Sequence, residues 1–161
     1  MTSAPFRLRE ATREDVPAIV GLIADLALYE RQPEDCHADP RLLEDHLFGP
    51  KPFVEVVVAE IGPEIVGFAL FFHNYSTWLT RPGLYLEDLF VKPERRGLGI
   101  GKALLVHLAR TAVARGCGRM EWAVLTWNEP AIGFYKSLGA FPMDGWRTYR
   151  LTDDALRALG R

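Results

Sequence analysis

Val91-Lys92-Pro93-Glu94-Arg95-Arg96-Gly97-Leu98-Gly99-Ile100-Gly101-Lys102 decides how this chain is read. An apolar run, Leu84 to Val91, reads as a strand that Pro93 ends. A glycine-rich turn follows, and Lys102 to Arg115 then carries leucines at helical spacing, with Leu104, Leu105, Leu108 and Val113 as core candidates and Gly116 as the stop. Strand, glycine turn and helix in this order make an anion cradle. Glycines let the backbone approach a ligand closely, and the helix N-terminus adds partial positive charge. Arg95, Arg96 and Lys102 strengthen that reading.

Two phosphate-binding patterns fail here. A P-loop would need glycine where Arg96 stands and Ser or Thr where Ala103 stands. A dinucleotide fingerprint would need glycine at Lys102 and a place in the first strand–helix unit, whereas this loop lies past mid-chain.

Upstream, Pro5–Arg9 reads as a short strand. Thr12 caps an amphipathic helix that ends near Glu30, and Arg31–Ala38 is a loop. Arg41–Phe48 is a second helix, stopped by Gly49-Pro50. Phe53–Glu60 and Glu64–His73 flank Ile61-Gly62-Pro63 and form an antiparallel hairpin, with Ser76–Gly83 as a loop after it. Downstream, Met120–Leu125 is a strand parallel to Leu84–Val91, because a helix crosses between them. Asn128 caps a further helix with Pro130 in its first turn, Trp146–Leu151 is a last strand, and Thr152–Leu159 is a closing helix. The expected fold is α/β, a mixed central sheet flanked by helices: antiparallel N-terminal strands, then a parallel βαβ unit around the glycine loop.

The chain has 161 residues, which fits a single domain spanning 1–161. Hydrophobic residues are 48%, charged residues 25%, and net charge is −2, so bulk attraction to nucleic acid or a membrane is not expected. Cys36 and Cys117 form no CxxC pair, and no histidine pairs with another at ligand spacing, so no metal is expected. Met1–Arg9 lacks an apolar leader and no run reaches membrane-spanning length, which places the protein in the cytoplasm.

Arg96-x-x-Gly99-x-Gly101 resembles the pyrophosphate motif of the GCN5-related N-acetyltransferases. Tyr85-Leu86-Glu87-Asp88-Leu89-Phe90-Val91 and Trp127-Asn128-Glu129-Pro130-Ala131-Ile132-Gly133-Phe134-Tyr135-Lys136, flanking the loop in order, are similar to the spermidine/spermine (diamine) and thialysine branch. The resemblance implies acetyl-CoA as co-substrate and a single N-acetyltransferase domain. Arg96, Gly97, Leu98, Gly99, Ile100, Gly101 and Lys102 would hold the pyrophosphate. The backbone of Leu89, Phe90 and Val91 would bind pantetheine like an added strand, and Asn128, Pro130, Ala131 and Tyr135 would line the rest of the arm. It implies Tyr135 as general acid toward the thiolate and Glu87 as base, directly or through water; as residues alone, Tyr135 could be a core aromatic and Glu87 a partner for a buried arginine. Asp88 reads as structural, since alternation puts Glu87 and Asp88 on opposite faces of the strand.

For the acceptor, the resemblance implies a small cationic amine, a di- or polyamine or a lysine-like amino acid, lined by Tyr29, Glu30, Glu87, Glu121, Trp122 and Asp144. Asp144 is a departure, being one methylene shorter than the branch's glutamate. A homodimer is implied as well. Two other readings keep the loop but change the outcome: acetylation of a protein amine or an aminoglycoside, or a CoA-binding regulatory module without catalysis.

Overall fold

The computed structural model describes residues 5–161; the N-terminal stretch read as lacking a leader begins in residues 1–4, outside the described residues. The described chain forms two compact units, Met1–Ala123 and Val124–Arg161.

The first unit is built on one five-stranded sheet: β1 (Arg7–Glu10), β2 (Glu55–Ile61), β3 (Glu64–Ser76), β4 (Arg81–Val91) and β5 (Arg119–Glu121), in that order across the sheet. The first three pairings are antiparallel and β4–β5 is parallel, as the βαβ pattern required. Helix α1 (Val16–Tyr29) follows a short 3-10 turn at Arg13–Asp15. The Asp15 carboxylate accepts from the Thr12 backbone N–H at 2.7 Å and from both terminal nitrogens of Arg9 at 2.6 and 2.9 Å. Arg9 also donates Nε to Glu60 at 2.9 Å, so one ion network around buried Asp15 ties β1, β2 and the start of α1. Helix α2 (Pro40–Phe48) is capped by Asp39, whose carboxylate accepts from the N–H groups of Arg41 and Leu42.

Alternation along the strands sorts the core into two layers. Val56, Val58, Phe68, Leu70 and Phe90 pack with Ile19, Leu22 and Leu26 of α1. Burying each such side chain is worth roughly 1.5–3 kcal/mol. Helix α3 (Ile100–Ala114) buries Ile100, Leu104, Leu105, Leu108 and Ala112 against the other face. Val113, read as a core residue, is 80% exposed, because it lies half a revolution round the helix from Leu104; Ala112 takes the buried place.

Two further expectations change. The Ser76–Gly83 loop is a hairpin: β3 runs to Ser76, β4 starts at Arg81, and only residues 77–80 turn. Pro82 is tolerated at the second position of β4, and a Cβ at Gly83 would require the side-chain oxygen of Asn74 to move aside. The segment therefore has no length to close over a site. The strand expected at Met120–Leu125 is only Arg119–Glu121.

The second unit holds α4 (Glu129–Ser137) and α5 (Asp153–Leu159). Asn128 caps α4, accepting from the Ala131 N–H at 3.4 Å, and Gly139 ends it at φ 89°. Trp146–Leu151 is not a strand. A strand needs a neighbour to pair with, and this unit contains none among its described residues. No described helix is long and apolar enough to cross a membrane.

Candidate active site

β4 delivers the chain to the glycine loop through a 3-10 turn at Pro93–Arg95. Gly97 and Gly99 have φ of 81° and 82°, the left-handed region that a Cβ penalises, which is why glycine stands there. A Cβ at either would meet no atom within 4 Å, so the space in front of the loop is open. Gly101 needs no special backbone; a Cβ there would make an ordinary 3.8 Å contact with Leu89. Gly99 is the N-cap of α3, and the first intrahelical bond runs from the Ala103 N–H to the Gly99 carbonyl at 3.0 Å. The N–H groups of Ile100, Gly101 and Lys102 precede it and point out of the helix end, where an anion is favoured.

The loop cations divide by partner. Lys92 and Arg95 both pair with Glu64, at 2.9 and 3.0 Å, which pins the loop to the β2–β3 hairpin. Arg96 has no carboxylate partner among the described residues. Its Nε donates to the Val91 carbonyl at 3.3 Å, and its guanidinium lies 4.8 Å from the Tyr29 ring centroid and 5.7 Å from that of Phe90.

β5 pairs with β4 only from Gly83 to Tyr85. β4 continues to Val91, so from Leu86 onward its main chain on that side meets no strand among the described residues. An open parallel edge leading into an anion-binding helix end fits an extended pantetheine arm followed by a pyrophosphate.

The same strand carries a bulge. Leu86 pairs with Phe71 and Asp88 with Leu70, neighbours on β3, which leaves Glu87 as the extra residue. Alternation therefore breaks at Glu87. Asp88 shares the α1 side of the sheet with Leu70 and Phe90, and Glu87 is brought to it rather than to the opposite face. The electrostatics agree. Asp88 is pushed up to about 6, chiefly by burial and then by the charges of Glu87 and Glu30. Glu30, which caps the C-terminus of α1, is raised by burial and by Glu87. The Tyr85 hydroxyl is raised by burial, then by Glu87 and Glu121. Three carboxylates thus gather where α1 also directs its negative helix end. Such a cluster recruits a cation. Asp88 is the member that sequence reasoning set aside; the adjacent Glu-Asp pair was the available signal, but the bulge that unites the pair has no sequence signature here.

Among the remaining expected residues, Tyr29 is the last residue of α1 and half exposed, with its ring against Arg96. Glu121 on β5 is engaged by Asn74 at 3.3 Å and Arg119 at 3.0 Å, which gives it a structural partner set. Trp122 follows it, half-buried. In the second unit, Asn128, Pro130 and Ala131 form the first turn of α4. Tyr135 is half-buried two-thirds along that helix, its ring 5.8 Å from that of Phe134. Asp144 is exposed, in a turn closed by the Trp146 N–H on the Met143 carbonyl.

The model of the Acetyltransferase (GNAT) family matches residues 20–140, which include the bulged strand, the glycine loop and α4. The chain belongs to that family. It is an acetyl-CoA-dependent N-acetyltransferase. A thialysine N-epsilon-acetyltransferase from Bos taurus is 39% identical over 94% of this chain and 95% of its own length. An L-ornithine N5-acetyltransferase from Arabidopsis thaliana is 34% identical over 96% of this chain and 88% of its own. An integron cassette protein from the mobile metagenome of V. cholerae superposes with a TM-score of 0.82 at 27% identity, covering 99% of both chains. The branch that the three sequence blocks pointed to is the one these curated relatives occupy.

Proposed function

We propose that this N-acetyltransferase moves the acetyl group of acetyl-CoA to a primary amine of a small cationic acceptor, a lysine-like amino acid such as thialysine or a di- or polyamine, by direct attack in a ternary complex. The observation that carries the reading is the bulge on β4, which gathers Glu87 and Asp88 with Glu30 at the end of α1. A neutral or anionic acceptor gains nothing from three carboxylates. A cationic one is drawn to them and held.

In this reading the two units form one domain. Arg96 and the loop from Gly97 to Lys102 hold the pyrophosphate, and the open edge at Leu89, Phe90 and Val91 holds pantetheine. Asn128, Pro130, Ala131 and Tyr135 complete the donor site. Acetyl-CoA, when bound, supplies an activated thioester. An alkylammonium has a pKa of about 10.4, so at neutral pH only about one molecule in 2,500 is a free amine, and a base must take its proton. Glu87 is exposed at the bulge and takes that role, directly or through water. Tyr135 returns a proton to the leaving sulfur. Tyr29, Glu30, Glu121, Trp122 and Asp144 shape the acceptor side. The protein works in the cytoplasm as a homodimer.

An amine panel with thiol release as the readout tests this. Lysine-like amino acids and diamines should turn over, and aminoglycosides and peptide amines should not; the reverse order of acceptors would refute the reading. Tyr135→Phe should lower kcat at least tenfold with unchanged acetyl-CoA affinity, and Glu87→Gln should move the acidic limb of the pH–rate profile. Wild-type turnover in the first variant removes the acid, and an unmoved profile in the second removes the base.

A further inference from the structure

Phe72 on β3 pairs directly with Tyr85 on β4, and Tyr85 pairs in turn with Glu121 on β5. Directly paired residues share a face of the sheet. Leu70 lies on the α1 side, so Phe72, two residues on, lies there too, and Tyr85 and Glu121 with it. The bulge continues this row. Counted forward from Tyr85, Glu87 falls on the same face, and counted back from Phe90, so does Asp88. Tyr85 therefore stands about 6.5 Å along the strand from Glu87, on the wall that leads into the carboxylate cluster.

Phe72 and Tyr85 lie beyond the core cluster that α1 covers, and both stay half-buried. Their rings meet at 5.1 Å with 34° between their planes, so each limits the other's movement. The Tyr85 hydroxyl is raised by burial and by the charges of Glu87 and Glu121, so the ring sits as a neutral phenol in the field of both carboxylates. Glu121 is already engaged by Arg119 at 3.0 Å and by Asn74 at 3.3 Å. A second ammonium drawn along this wall thus meets an aromatic face rather than a free carboxylate, and such faces attract ammonium groups.

We infer that Tyr85, backed by Phe72, is a specificity-determining residue for the acceptor: its ring receives the second cationic group of the amine while the first reacts at Glu87. This rests on the reading of the acceptor as a small cationic amine. The carboxylate cluster draws any ammonium. An aromatic contact a few methylenes away favours only an acceptor that carries a second one, so Tyr85 separates diamines and lysine-like amino acids from simple monoamines.

The test is steady-state kinetics of the full chain and its Tyr85→Leu and Tyr85→Phe variants with two matched pairs of acceptors. One pair is diaminobutane against aminobutanol; the other is thialysine against its analogue lacking the α-amino group. Wild type should prefer the acceptor with the second ammonium in at least one pair. Tyr85→Leu should narrow that preference in kcat/KM about 3- to 30-fold, the range of a cation–π contact from exposed to desolvated. The loss should appear in the KM of the doubly cationic acceptor, with the acetyl-CoA KM unchanged. Tyr85→Phe keeps the ring and should keep the preference within about threefold. Thermal unfolding checks that each variant is folded, and Tyr85→Met takes the place of Tyr85→Leu should that variant not fold. An undiminished preference without the ring overturns the inference alone. So does a loss in Tyr85→Phe as large as in Tyr85→Leu, or a loss carried by the acetyl-CoA KM. No preference in wild type in either pair refutes the cationic-acceptor reading, and the inference falls with it.

Discussion

Replacing Asp88 with asparagine should stabilise the protein, and the gain should grow with pH. Asp88 is raised from its ordinary 3.8 to about 6 by burial and by the neighbouring charges of Glu87 and Glu30. Each tenfold change in proton affinity is worth about 1.4 kcal/mol, so ionising Asp88 in the folded state costs about 3 kcal/mol. Its folded value lies above the unfolded one. Below about pH 4 both states hold the proton and the group costs nothing. As pH rises from 4 through 6 the unfolded chain releases the proton first, and stability falls until the full amount is lost above about pH 7. Asparagine has nearly the same shape and no charge to strand. The variant should therefore match wild type near pH 4 and exceed it by up to about 3 kcal/mol at pH 8. In a chain of this length that is about 6–12 °C in Tm. Thermal or urea unfolding at pH 4, 6 and 8 measures it. A difference that does not change with pH, or a variant less stable than wild type at pH 8, would refute the electrostatic account of the cluster. The same variant should bind a cationic acceptor more weakly, since one of three carboxylates is gone.

Gly99→Ala should disable the loop while Gly101→Ala is tolerated, because Gly99 sits at φ 82° and Gly101 has ordinary backbone with room for a methyl group. Strain of about 1–2 kcal/mol at position 99 should appear as roughly a tenfold or greater loss of acetyl-CoA affinity by titration, against less than about threefold at 101. Asp15→Asn should cost about 2 kcal/mol, since it leaves half-buried Arg9 with Glu60 as its carboxylate partner. Asp15 is held down at about 2, first by its hydrogen bonds from Arg9, so its contribution is present above pH 4 and is lost as pH falls toward 2. Urea unfolding of both proteins should converge across that window.

Local chemistry made much of this protein legible. The glycine loop could be read because a left-handed backbone at Gly97 and Gly99 demands glycine, and because helix α3 announces itself in leucine spacing. The β2–β3 hairpin was equally plain from Ile61-Gly62-Pro63, with Gly62 at φ 55°. Pairing was harder. Pro82-Gly83 carries a turn signature, yet it lies in β4, paired with Tyr75 and Asn74 of the neighbouring strand. Trp146–Leu151 has strand composition without a partner in its unit. The bulge at Glu87 mattered most. Counting residues two by two sends Glu87 and Asp88 to opposite faces, and only the register against Leu70 and Phe71 brings both toward Glu30. A side chain's neighbours across a sheet are set by the other strand, which its own segment does not encode.

The most direct measurement of the central claim compares two primary amines of equal length as acceptors, one carrying a second ammonium group and one a neutral group in its place. It does so in wild type and in Glu30→Gln. The carboxylate cluster predicts a kcat/KM at least about tenfold higher for the dication in wild type, the scale of one charge pair in a partly buried site. It also predicts that Glu30→Gln narrows this preference while the acetyl-CoA KM stays where it was. Equal kcat/KM for the two amines, or a preference untouched by Glu30→Gln, would contradict it.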